Sequence, residues 1–93
     1  MTKFKSKKIP FIYSGVVGTV QVKLAEYEYD SLQFINDSAG TIRFSVDGGN
    51  TFFSVYTFEA ITWDNFGESN SLFIYAAAAS SAFRVVLWKS IRE

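Results

Sequence analysis

Chemistry on this chain would have to come from carboxylates, amines and hydroxyls, because the sequence holds nine Asp and Glu, nine Lys and Arg, and neither histidine nor cysteine. Without His there is no imidazole base, and without Cys there is no thiol nucleophile, thiolate zinc site or disulfide framework. A glycosidase needs two carboxyl groups facing each other at about 5 to 9.5 Å across a cleft. Asp37 and Asp47 do not suggest such a pair, since they fall in successive loops at opposite ends of one strand. Calcium needs several oxygens converging from one loop, and Asn36-Asp37-Ser38 and Asp47-Gly48-Gly49-Asn50 are too short for the usual pattern of about twelve residues. Asn36-Asp37-Ser38 is also a formal glycosylation sequon. The expectation is a protein that is not an enzyme and carries no metal or cofactor.

The charge distribution is uneven. Lys3, Lys5, Lys7 and Lys8 give residues 1–8 a net charge of +4, which leaves −4 on the rest of a chain whose formal total is zero. This stretch reads as a basic N-terminal arm, either a solubilising terminus or an arm for an acidic neighbour. Nucleic acid is disfavoured as a partner, because the stretch is short, the remainder is acidic and no recognition motif follows. The longest apolar run, Leu72 to Ala79, falls well short of the roughly 18 residues that cross a bilayer. No apolar core of a signal peptide follows the lysines. A soluble protein without membrane contact is expected, and the missing Cys fits the cytosol, the outside or a virus particle equally.

The elements that must position any site are short and alternate with period two. Eight strands are expected, at about 9–14, 19–24, 31–36, 41–46, 51–58, 61–65, 71–77 and 82–89, separated by turn formers such as Asn36-Asp37-Ser38-Ala39-Gly40 and Asp47-Gly48-Gly49-Asn50,. Val20, Val22 and Leu24 alternate with Thr19, Gln21 and Lys23, and Ile42, Phe44 and Val46 with Thr41, Arg43 and Ser45, as strands with one buried face do,. Ala76 to Ala79 favours a helix, but the flanking Leu72-Phe73-Ile74-Tyr75 and Val85-Val86-Leu87-Trp88 favour a hairpin. The fold class is therefore all-β, an antiparallel β-sandwich or jelly-roll-like domain spanning residues 9–93 behind the arm at 1–8.

One hairpin carries a specific motif, Ser45-Val46-Asp47-Gly48-Gly49-Asn50-Thr51-Phe52. It resembles the Asp-box of sialidase-type propellers, a structural turn in which the Asp closes the loop by hydrogen bonds, the glycines take left-handed backbone angles and the last aromatic packs underneath. Ser45, Asp47, Gly48, Gly49 and Thr51 are thus expected to build a turn and not a catalytic centre. Two registers remain open: Phe44 opposite Phe53, which puts Phe53 inward, or Phe44 opposite Ser54, which puts Phe52 inward as the Asp-box precedent favours.

The run from Leu32 to Gly49, followed by two aromatic strands and the closing Val85-Val86-Leu87-Trp88, resembles small β-sandwich accessory proteins of tailed-phage particles. That resemblance covers about residues 31–89 and implies a head, neck or tail component of a virion, assembled in the host cytoplasm, that binds copies of itself or larger capsid and tail proteins.

The chain also holds more rings than a small sandwich can bury, with ten Phe, five Tyr and two Trp. Opposite faces of single strands both carry large apolar groups, so a sheet face is expected to meet a partner. Tyr56, Phe58, Phe73, Tyr75, Val86 and Trp88 are the expected interface residues. A carbohydrate-binding module is the alternative, with Trp63, Tyr56 or Trp88 as exposed platforms and a glycan as partner. Glu26-Tyr27-Glu28-Tyr29-Asp30 reads as a solvated edge segment with acids between rings.

Overall fold

A computed structural model of the chain describes residues 6–25, 28–64 and 69–92. They form eight strands: β1 (Ser6–Val17), β2 (Val22–Ala25), β3 (Ser31–Asn36), β4 (Ile42–Ser45), β5 (Phe53–Val55), β6 (Ala60–Trp63), β7 (Leu72–Ala76) and β8 (Ser81–Arg92). Two four-stranded sheets result, with strand orders β1-β8-β3-β6 and β2-β7-β4-β5. β1 pairs with β8, β2 with β7, β3 with β6 and β4 with β5, all antiparallel. This nested pairing is that of one long hairpin rolled up on itself, the jelly roll.

Period-two alternation explains which residues fill the space between the sheets. Leu32 and Phe34 of β3, Ile42 and Phe44 of β4, Leu72 and Ile74 of β7, and Val85 and Leu87 of β8 are all fully buried. Phe34 and Phe44 stack across the two sheets at 5.2 Å between ring centroids, and Phe83 stacks on Phe34 at 5.8 Å. Trp63 lies 5.2 Å from Phe44 and meets Phe53 edge-on at 4.6 Å. Such offset and edge-on pairs add to the free energy of burial. Several rings counted as surplus in the sequence thus have a place inside.

The hairpin register is settled in favour of Phe44 opposite Phe53. Phe53 therefore shares the inner face with Phe44, and Phe52 sits outside, its ring 5.0 Å from that of Tyr75. The Asp-box expectation of an inward Phe52 does not hold, because the four-residue loop from Asp47 to Asn50 sets the strand in the other phase. The stretch Ala76 to Ala79 leads from β7 into a turn, with Ser80 in the left-handed region at φ 58° and the Ser81 hydroxyl donating to the Ala78 carbonyl.

β2 departs from its expected pattern. Val20 lies before the strand and is 76% exposed, while Leu24 packs on the core. Further along this edge strand a bulge between Lys23 and Ala25 breaks the strict alternation,.

Candidate interaction surface

Residues directly opposite in an antiparallel ladder share a face. The outer face of the β1-β8-β3-β6 sheet can therefore be read off its registers: Pro10 stands beside Trp88, Ile12 beside Val86, Ser14 beside Arg84 and Val16 beside Ala82. Ile35 of β3 lies opposite Arg84 on the same face. Ile12 is 74% and Val16 66% exposed, while Val86 and Trp88 are half-buried among their neighbours. Arg84, the charge in this apolar field, is bound bidentately by Asp37 at 2.7 and 3.0 Å. The guanidinium holds the Asp37 carboxyl below the usual carboxylate range.

The other expected interface residues lie elsewhere. Phe73 and Tyr75 occupy the outer face of the β2-β7-β4-β5 sheet, on the opposite side of the molecule, opposite Lys23 and Arg43 respectively. Arg43 donates to the Tyr75 hydroxyl at 3.1 Å and, with Thr41, Tyr75 and Ala77, lines a shallow groove of about 260 Å³. Tyr56 and Phe58 belong to the β5–β6 connection and are 59% and 70% exposed. The six residues thus divide among three surfaces, since alternation along a strand gives the face of each residue but not the sheet to which the strand belongs. Of the three candidate sugar platforms, Trp63 points into the core and Tyr56 and Trp88 lie on separate surfaces.

The residues Ser45, Asp47, Gly48, Gly49 and Thr51 build a closed turn. The Ser45 hydroxyl donates to Asp47 Oδ1 at 2.6 Å, and the same oxygen accepts the backbone N–H groups of Asn50 and Thr51 at 3.1 and 2.9 Å. Gly48 and Gly49 have φ of 78° and 89°, angles that a side chain would strain,. The Ser45 hydroxyl and then the Thr51 N–H lower the Asp47 carboxyl to about 2.

Beside this turn is an open cleft of about 450 Å³ lined by Glu28, Val46, Asp47, Gly48, Ser69, Asn70 and Ser71. One of its two serine hydroxyls and both of its carboxylates are already engaged: Ser69 Oγ donates to the Val46 carbonyl, Glu28 pairs with Lys89 at 3.0 Å, and Asp47 closes the turn. Among the described residues no three His, Cys, Asp or Glu side chains converge as a metal site would require.

Two residues are buried where the sequence gives no sign of it, and for the first this overturns the expectation. Tyr29 is fully buried and donates to the Ser71 carbonyl, so it is a core residue and not part of a solvated edge; burial pushes its hydroxyl up to about 12. Asn36, in the formal sequon, is also fully buried, its amide donating to the Gly40 and Val55 carbonyls at 2.6 and 2.9 Å. An oligosaccharyl acceptor must be reachable, and this amide is not. Neither residue carries a local signal of burial, because both sit among turn formers.

Lys3, Lys5 and Tyr27 lie outside the described residues. Lys7 and Lys8 lie within β1, opposite Ile91 and Ser90, so the sheet takes in part of the stretch read as an arm. Neither a protein-family model, nor a curated protein, nor a solved structure matches this chain.

Proposed function

We propose that this jelly-roll domain is a non-enzymatic assembly component, a structural or accessory protein of a phage particle, that buries the outer face of its β1-β8-β3-β6 sheet against a neighbouring protein. One observation carries the reading: Ile12 and Val16 stand 74% and 66% exposed on the same face as Val86, Trp88 and Ile35. Exposed apolar residues that are contiguous, as opposed to scattered, mark interaction surfaces. The particle setting is supported by the resemblance of residues 31–89 to phage accessory proteins. Jelly rolls serve capsid and lectin domains alike, so the fold by itself favours neither assembly nor sugar binding. A sugar platform needs neighbouring exposed rings, and Trp88 has no exposed aromatic partner on its face among the described residues.

Sedimentation at micromolar concentration tests the reading. The wild type is expected to be heavier than one chain, and Trp88→Glu to disperse it while leaving the β-sheet circular dichroism unchanged. A monomeric wild type with the same mass as Trp88→Glu counts against self-assembly. Saturable glycan binding abolished by Trp88→Ala would move the assignment to a carbohydrate-binding module.

A further inference from the structure

Each sheet has two edges, β1 and β6 in one and β2 and β5 in the other. Strands β6, β2 and β5 have four, four and three residues, short enough to offer little to a passing strand,. β1 has twelve. Among the described residues no strand pairs with its other side, which is long and apolar, the kind of edge that natural sheets usually blunt or pair,.

The direction of its backbone groups follows from the ladder. Asp37 N–H donates to the Ala82 carbonyl at 3.0 Å, so Ala82 turns its backbone toward β3. Because hydrogen-bonded pairs recur at every second residue, Arg84, Val86 and Trp88 do the same, whereas Phe83, Val85 and Leu87 turn toward β1. The β1 residues opposite these three are Gly15, Tyr13 and Phe11. Pro10, Ile12, Ser14 and Val16 therefore present their backbone groups to the open edge. Pro10 belongs to this set, where its missing N–H costs the β8 ladder nothing.

We propose that this edge pairs antiparallel with the β1 edge of a second copy of the chain, on a twofold axis through Ser14. The inference rests on the assembly reading and names the contact. In this register Ile12 faces Val16 of the other copy and Ser14 faces Ser14, so each of these residues donates and accepts one backbone hydrogen bond across the interface. Sliding one way brings Pro10, which has no donor, into the run. Sliding the other way brings in Gly18, whose carbonyl already accepts the Ala76 N–H at 2.8 Å. The Ser14 register avoids both.

Charge favours the same occupant. No residue from Ile9 to Val17 is charged and the chain's formal net charge is zero, so two copies approach without repulsion. The nearest cation on the outer face, Arg84, is bound by Asp37. Lys7 and Lys8 of the two copies fall at opposite ends of the joined strands. Pairing also sets Ile12 of each copy beside Val16 of the other, which extends the apolar outer face across two four-stranded sheets.

The absence of cysteine from the sequence makes the register measurable. A hydrogen-bonded antiparallel pair holds its Cα atoms about 5.5 Å apart, within disulfide range. Ser14→Cys is expected to form a covalent dimer on mild oxidation, at least fivefold faster than Ile12→Cys or Val16→Cys alone, whose thiols lie about 13 Å from their own copies along the strands. An equal mixture of Ile12→Cys and Val16→Cys should cross-link as fast as Ser14→Cys. Ser14→Pro, which removes an outward N–H and no β8 bond, should weaken dimerisation at least tenfold with an unchanged circular dichroism spectrum. Should Ser14→Pro not fold, the cysteine set decides alone. Equal cross-linking of Ser14→Cys and Ile12→Cys overturns the register. An associated wild type that Trp88→Glu disperses and Ser14→Pro does not overturns the edge contact and leaves the assembly reading standing; a monomeric wild type overturns the edge contact and, with it, self-assembly as the form that reading takes.

Discussion

The carboxamide of Asn36 is saturated inside the protein: beside its two donations to Gly40 and Val55, its oxygen accepts the Ser38 N–H at 2.8 Å and the Ser38 hydroxyl at 2.7 Å. Replacement by alanine leaves the Val55 carbonyl without this donor, while the Gly40 carbonyl keeps the Ser38 hydroxyl at 3.1 Å, and a buried unsatisfied group costs about 1 to 3 kcal/mol. Asn36→Ala is expected to lower stability by about 1 to 3 kcal/mol, read as a reduced urea midpoint at unchanged slope. Asp47 and Tyr29 make opposite contributions to the pH profile. The Asp47 carboxyl is depressed from 3.8 to about 2, so its stabilisation is present above 3.8 and is lost as pH falls toward 2,. Asp47→Asn should flatten that acid limb. Tyr29 is raised from 10.0 to about 12, so its stabilisation is complete below 10.0 and is lost as pH rises through 12,. Tyr29→Phe should remove the alkaline slope and, by taking one of two hydroxyl donors from the Ser71 carbonyl, which keeps that of Ser69 at 3.1 Å, lower stability by about 1 kcal/mol at neutral pH.

At the scale of elements, each of the eight strands overlaps a segment that alternation and turn formers mark, because both signals are local and need no knowledge of the fold, although β1 and β8 run longer and β5 shorter than expected. Within the connections the signals weaken. Phe58, expected at an interface, stands in the β5–β6 turn with φ 54°, a left-handed angle that a bulky residue adopts at a cost,. Its backbone N–H is held by the Ser38 carbonyl and the following Glu59 N–H by the Tyr56 carbonyl, so the turn imposes the angle. Phe58→Gly is expected to raise thermal stability by about 1 kcal/mol. Because Phe58 lies away from the β1 edge and the Trp88 face, its solution mass should stay that of the wild type. A loss of association in Phe58→Gly would instead make this turn a contact.

For the molecule as a whole, nested pairing joins the two ends of the chain first to last, β1 with β8. Closing such a loop before its contacts form is entropically costly, so folding is expected in milliseconds to seconds, with one cooperative transition. Stopped-flow refolding checks this, and folding in microseconds would contradict the nested topology. The sequence by itself determined the all-β class, the strand positions, the inner faces of β4 and β7 and the turn built on Asp47, since alternation and turn chemistry act between residues close along the chain. It also reserved a surplus of rings for the surface. Only the tertiary structure decided where they go: Phe53 and Trp63 on the inner faces at the sandwich edge, Phe73 and Tyr75 on one outer face, Trp88 on the other. It likewise buried Tyr29 and Asn36, and left Ile12, Ser14 and Val16 on an open edge. The physical reason is the same throughout. Period two tells which side chains share a face, while the inside of a sheet and its unpaired edge exist only once distant strands have met.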